Sequence, residues 1–186
     1  MQELGAQQVH ITDAFWQPRL EMNARTAILH QWEQLEKTAC IDNFRQVAQG
    51  KAGFRKGWFF SDSDAFKWLD AACRIYATQP SEALREHIDA LVDLIGATQT
   101  SDGYLDTYNQ IHFPGTRWVN LQIEHELYCH GHLIEASVSH FQVTGERCLL
   151  EIAEKAADLL VREFSGAGPE ATPGHEEIEI ALLKLH

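Results

Sequence analysis

No stretch of this chain is apolar for long enough to cross a bilayer, and no cluster of basic residues marks a nucleic-acid surface. The 15 Lys and Arg are outnumbered by 27 Asp and Glu, and the net charge of -12 repels phosphate backbones and anionic lipid. Neither a nucleic acid nor a membrane is therefore an expected partner. A neutral or cationic ligand suits the chain better than a phosphate-rich one. The opening MQELGAQQVHITDAFW has neither the basic n-region nor the apolar h-region of a signal peptide, so the expected location is cytoplasmic. Cysteine is scarce and never paired as C-x-x-C. Cys40, Cys73, Cys129 and Cys148 stand far apart and read as reduced packing residues. Strand alternation is almost missing, appearing only near Val9 to Ile11.

What is present is helix. At 186 residues, 45% hydrophobic and 23% charged, the chain can build one domain with a real core. A first helix is expected from Gln17 to Lys37. Ser61 should cap a second, with Asp64 as capping-box partner and a stripe of Phe66, Leu69, Cys73 and Tyr76. Pro80-Ser81 opens a third, with Leu84, Ile88, Leu91 and Ile95 on one face. After a loop marked by Ser101-Asp102-Gly103 and Pro114-Gly115, a fourth helix is expected from Leu121 to Val143. Thr144-Gly145 breaks it, and a fifth runs to Phe164.

Two stretches align without a gap. WLDAACRIYATQPSEALREHIDALVDLI starts at Trp68 and LIEASVSHFQVTGERCLLEIAEKAADLL at Leu133. Each reads as helix, tight turn, helix. GHEEIEIA from Gly174 echoes GHLIEA from Gly131 and suggests a third copy. Repeated hairpins point to a solenoid or a closed toroid of helix pairs, with chance likeness between amphipathic helices as the plain alternative. The fifth helix carries Glu151, Glu154, Lys155, Asp158 and Arg162, a wet outer face. The fourth has no Lys or Arg. Leu127, Ile134, Val138 and Phe141 lie on one of its faces, and His125, Cys129, His132 and Ala136 on the opposite one. Such a helix suits the inner layer of a toroid, with the second face turned to a ligand cavity.

The chemistry-bearing candidates are few. EHELYCHGH at Glu124 to His132 is not H-E-x-x-H, although His125, Cys129 and His132 could share a metal. Hydrogen-bonding histidines lining a cavity, or plain core and surface histidines, are the other readings. Glu124, Glu126, Glu135, Glu176, Glu177 and Glu179 offer carboxylates for a glycosidase pair, or are merely helix-start and solvated acids. Trp58, Phe59 and Phe60 could stack on a sugar ring or join the core. QTSDGYL at Gln99 to Leu105 is a functional turn or a connector. The last stretch, PGHEEIEIALLKLH, opens a helix with no closing signal and so suggests a fragment.

In their order and spacing, several motifs resemble the amino-terminal part of glycoside hydrolase family 127, the β-L-arabinofuranosidases. They are Phe15-Trp16, Phe60-Ser61-Asp62-Ser63-Asp64 with Lys67-Trp68-Leu69, and Asp102-Gly103-Tyr104-Leu105. His125-Glu126-Leu127-Tyr128 with Gly131-His132 and Glu135-Ala136, and Gly174-His175 with Glu177-Ile178-Glu179, complete the set. The resemblance implies an all-α, incomplete (α/α)6 toroid built of helical hairpins. Residues 1–186 would be the N-terminal part of the barrel catalytic domain, truncated at the C-terminus.

It also implies an oligosaccharide substrate, with His125, His175 and Phe60 as substrate-binding residues. The nucleophile, the acid/base glutamate and the zinc with its Cys and Glu ligands would lie in the later half of the barrel. This chain is then expected to hold no catalytic residue, cofactor or zinc, and to be inactive alone. Cys129 and His130 depart from the family pattern and are expected to be dispensable. Ile178, Leu182 and Leu185 are expected to form an exposed edge through which the chain self-associates. A sugar epimerase or unsaturated-glycoside hydrolase on the same toroid, or a helical-repeat binding module, are the alternatives.

Overall fold

The computed structural model describes residues 4–51 and 53–186; Met1, Gln2 and Glu3, part of the stretch read for a leader, and Ala52 lie outside the described residues. The described residues contain ten α-helices and no strand. They are α1 (Trp16–Met22), α2 (Ile28–Lys37), α3 (Cys40–Ala48), α4 (Asp62–Thr78), α5 (Glu82–Thr98), α6 (Thr107–His112), α7 (Leu121–Glu124), α8 (Glu126–Thr144), α9 (Cys148–Phe164) and α10 (Glu177–Leu185). A π-helical turn, Asn23–Ala27, joins α1 to α2, so the first expected helix is one helical run with a bulge. Val9 to Ile11 form no strand. Their alternation has no neighbouring edge to pair with, and Val9 and Ile11 stay exposed.

The two aligned stretches are two antiparallel hairpins, α4–α5 and α8–α9, laid side by side through α4 and α8. Ser81 caps α5 as expected, its hydroxyl accepting from Leu84 N–H at 3.3 Å. Leu84, Ile88, Leu91 and Ile95 are each at most 1% exposed. Burying each such side chain is worth about 1.5–3 kcal/mol. Trp68 ties α4 to α2, stacking near Trp32 at 4.7 Å and donating Nε1–H to the Ile28 carbonyl at 2.9 Å. A second core joins Leu121, Leu127, Ile134, Leu160, Ile178 and Ala181 between α7, α8, α9 and α10. The result is an all-α arc of hairpins, an incomplete (α/α)6 toroid.

Six expectations change. Ser61 precedes α4, but its side chain accepts no helix N–H, and no capping box forms with Asp64. Its hydroxyl is taken by the Arg55 guanidinium at 2.9 Å, a stronger charge-assisted bond. The fourth helix is broken at His125, which is left-handed. Cys129 and Ala136 are fully buried in the main core rather than facing a cavity, because α8 packs on α4, α9 and α10 at once. That three-sided burial explains a helix without Lys or Arg. The opposite stripe is less uniform: Ile134 is buried but Phe141 is 37% exposed.

On α10, Ile178 is 7% exposed and Leu182 and Leu185 are half-buried against the second core, so the expected exposed edge is inward-facing. The outward apolar residues are Ile180 and Leu183, 49% and 79% exposed. Finally, the short helices α3 and α6 had no long periodicity to announce them.

Candidate functional site

The break at His125 builds the site. Its φ of 61° and ψ of 26° are unusual for a residue with a side chain, a conformation costing about 1–2 kcal/mol. What holds it is the next residue. Glu126 is fully buried, accepting from the Tyr104 hydroxyl and, at 2.8 Å, from Trp118 N–H. Burial raises its pKa above the usual carboxylate value. Glu126 is therefore an anchor and not a site acid, and Asp102-Gly103-Tyr104-Leu105 is part of that anchor rather than a connector.

Two glycines bring the second histidine in. A Cβ on Gly174 would stand 2.3 Å from the Gln122 carbonyl oxygen. A Cβ on Gly131 would stand 2.7 Å from Glu177 Cγ and 3.1 Å from the Glu177 carbonyl carbon. Only bare backbone allows the chain to pass so close to α7 and α10 to approach α8. As a result His175 meets His125, Nε2 to Nε2 at 3.0 Å, with the rings edge to face at 4.6 Å. Tyr128 packs on both rings, and His132 lies 4.5 Å beyond it. Burial, then the charges of His175 and Lys67, hold the His125 imidazole below its ordinary pKa. A neutral ring can both donate and accept a hydrogen bond.

The facing wall is aromatic. Phe60 and Phe59 pack on the His125 ring at 5.6 and 5.5 Å. Trp58 lies parallel to Phe60, 2° between the planes, and is 70% exposed. Trp58 is a ledge at the surface, whereas Phe60 is half-buried against the main core. Arg55 holds it from behind, wholly buried and paired with Asp62 at 3.0 Å. Its guanidinium donates to the Trp58 carbonyl at 2.8 Å, and Nε to the Thr107 hydroxyl at 2.8 Å. Asp62 in turn accepts from Thr107 N–H and hydroxyl, both at 2.6 Å. Sequence reasoning missed Arg55, because a loop arginine carries no local sign of burial.

Of the six glutamates, only Glu135 and Glu177 come together in the site. They share one cluster with His132, whose Nδ1 lies 3.3 Å from Glu177, and Lys184 binds Glu135. Burial and the neighbouring Glu135 push the Glu177 carboxyl up to about 7. Burial, then the charge of Lys67, pushes His132 down to about 4. Glu176 and Glu179 are exposed, and Glu124 is half-buried.

The trio of His125, Cys129 and His132 does not assemble, because the Cys129 thiol is buried and turned to the Phe60 carbonyl at 3.7 Å. His130 is built into the core. It is fully buried, accepts Leu105 N–H at 3.3 Å and faces the Glu126 carbonyl at 2.8 Å. Cys40, Cys73 and Cys129 are buried as expected, but Cys148 is exposed. Two sets of ligand-type residues do gather among the described residues, His132 with Glu135 and Glu177, and His140 with Glu146 and Cys148. Neither contains two cysteines, so neither fits the Cys- and Glu-bound zinc that the resemblance implies.

Comparison with known proteins meets this geometry from outside. A curated relative, the non-reducing end β-L-arabinofuranosidase of Bifidobacterium longum subsp. longum, is 36% identical over 96% of this chain and 31% of its own length. Among solved structures, a GH127 β-L-arabinofuranosidase from Geobacillus stearothermophilus T6 superposes with a TM-score of 0.89 at 41% identity. The match covers 95% of this chain and 29% of that one. A second GH127 β-arabinofuranosidase gives 0.87 at 34% identity, over 97% and 30%. The chain thus spans about a third of the length of the relatives it matches. The family model for the β-L-arabinofuranosidase GH127 catalytic domain matches residues 8–186. With nearly the whole chain under that match, this protein belongs to the GH127 β-L-arabinofuranosidase catalytic-domain family.

Proposed function

We propose that these residues form the sugar-holding half of an exo-acting β-L-arabinofuranosidase, releasing arabinofuranose from the non-reducing end of arabinose-containing oligosaccharides. Residues 1–186 are the N-terminal part of its barrel catalytic domain, working in the cytoplasm. The observation that carries the reading is the meeting of His125 and His175 beside Phe60, three residues from distant parts of the chain. The two imidazole nitrogens, bonded to each other at 3.0 Å, can on parting hold one furanose hydroxyl, one ring donating and the other accepting. The Phe60–Trp58 ledge offers an apolar surface to the C–H face of the ring. The role is to position the anomeric carbon for groups that this chain does not contain. Alone, the chain does not turn over substrate. Nucleophile, acid/base and zinc belong to the rest of the barrel, and no step is assigned to residues here.

The test uses a chain of the relatives' full length that carries these residues, assayed on a nitrophenyl β-L-arabinofuranoside. His125→Ala and His175→Ala should each lower kcat/KM roughly 10- to 1,000-fold, a loss of about 1.4–4 kcal/mol of transition-state stabilisation. Zinc content and melting temperature should barely move. His30→Ala, on an exposed helix face, should leave activity unchanged. Full activity in either site variant would remove the proposed role.

A further inference from the structure

At the far end of α8, about 20 Å from His125 by helical rise, lies a second cluster that the sugar site does not use. The His140 side chain is 0% exposed, and neither of its ring nitrogens has a hydrogen-bond partner. A buried imidazole without partners needs an explanation. The ring points to the turn that joins α8 to α9. Its Nε2 stands 3.9 Å from Glu146 Oε2. The His140, Glu146 and Cys148 ligand atoms all lie within 4.8 Å of one another, and the Cys148 thiol is exposed. Thr144 ties the turn together, its hydroxyl donating to the His140 carbonyl at 2.8 Å and accepting from Glu146 N–H at 3.1 Å.

We infer that the α8–α9 turn is a divalent-cation site, with His140, Glu146 and Cys148 as protein ligands and Zn²⁺ as the ion that suits them. Nitrogen, oxygen and sulfur in one set match the borderline softness of zinc, and three protein ligands leave one position for water. Around a tetrahedral zinc with bonds of about 2.0–2.3 Å, ligand atoms stand roughly 3.3–3.7 Å apart. The cluster therefore needs a contraction of about half an ångström to one and a half ångströms, taken up by the Glu146 and Cys148 side chains at the surface.

The charges around the set are named easily. Arg85 on α5 donates to both Glu146 oxygens, at 2.7 and 2.8 Å, and is itself paired with Asp89 at 2.7 Å. A ligating carboxylate is commonly held by such a partner from behind. The cluster of His132, Glu135 and Glu177 belongs to the site already described and offers no thiol. The site at the turn differs from the zinc expected in the rest of the barrel. Its effect would be to clasp the hairpin, not to activate a sugar.

The test is metal titration of the reduced, metal-free chain, with Zn²⁺ by calorimetry and Co²⁺ by absorption. One equivalent should bind, and the Co²⁺ form should show a thiolate charge-transfer band with tetrahedral visible bands. Losing a residue behind the ligands costs about 10–100-fold in affinity, so Cys148→Ser should weaken binding by at least about 100-fold. Glu146→Gln and His140→Asn should act in the same direction, and Glu177→Gln should not. Because Cys148 is exposed, its serine variant keeps the test decisive even if His140→Asn fails to fold. No binding, a Co²⁺ spectrum without the thiolate band, or binding that survives Cys148→Ser would overturn the proposal. So would loss of binding in Glu177→Gln alone.

Discussion

The two walls of the proposed sugar site are held by opposite means. The aromatic wall rests on a buried charge pair. Arg55 gathers the loop carbonyls and Asp62 gathers Thr107, so Trp58, Phe59 and Phe60 are fixed by directional bonds inside the protein. The histidine wall has no fully buried charge pair among the described residues; Lys184 with Glu135 and His132 with Glu177 join α10 to α8, and all four keep some exposure. This wall depends on missing atoms: bare backbone at Gly131 and Gly174 lets α10 and its leading segment lie against α8 and α7. The first wall should be most sensitive to loss of its buried charge, and the second to added volume, with a smaller response to pH.

The largest effect is expected behind the aromatic wall. Arg55→Ala leaves Asp62 buried without its partner, and breaking a buried pair from one side costs about 3–5 kcal/mol. Denaturant unfolding of the chain should show that loss. A cost below about 1 kcal/mol would mean that the pair carries no such weight.

Next comes the histidine wall. Gly174→Ala forces a methyl group into the Gln122 carbonyl, and overpacking of this kind costs about 1–3 kcal/mol. The fold should survive while His175 moves off His125. His125 should then lose one cause of its lowered pKa and titrate nearer its usual 6.5, as read by histidine NMR. An unmoved His125 titration in a folded Gly174→Ala chain would show that the glycine does not set the pair.

The smallest effect concerns pH. Glu177 is raised from 4.5 to about 7 by burial and by Glu135. A raised carboxyl favours the folded state fully below about pH 4.5, and that contribution fades as pH rises through about 7. Glu135 runs the other way. Burial would raise it, but Lys184 and Glu177 hold it below its usual value, so its contribution is present above about 4.5 and lost as pH falls. Glu177→Gln should flatten the decline in melting temperature between about pH 5 and 8. If the wild-type and variant profiles run parallel there, the carboxyl pair does not couple α8 to α10.

Much of the helical layout was legible because its signals are local. The stripe from Leu84 to Ile95, the Ser81 cap and the Gly145 stop each lie within a few residues of the structure they dictate. The hairpin repeat was legible for the same reason. His125, His175 and Phe60 were named as sugar contacts from a resemblance, and they do come together. Their partners were not legible. Arg55 meets Thr107 across 52 residues, and Tyr104 meets Glu126 across 22. The burial of His130 was not legible either, because burial is not written in a residue's type.

The sequence by itself determined the long helices and where the hairpins turn. Only the tertiary structure decided that His125 breaks its helix, that two glycines let two histidines meet, and that His140 faces Glu146 and Cys148. The reason is physical. Helical periodicity is set by neighbours along the chain, whereas close approach between helices depends on what each one packs against.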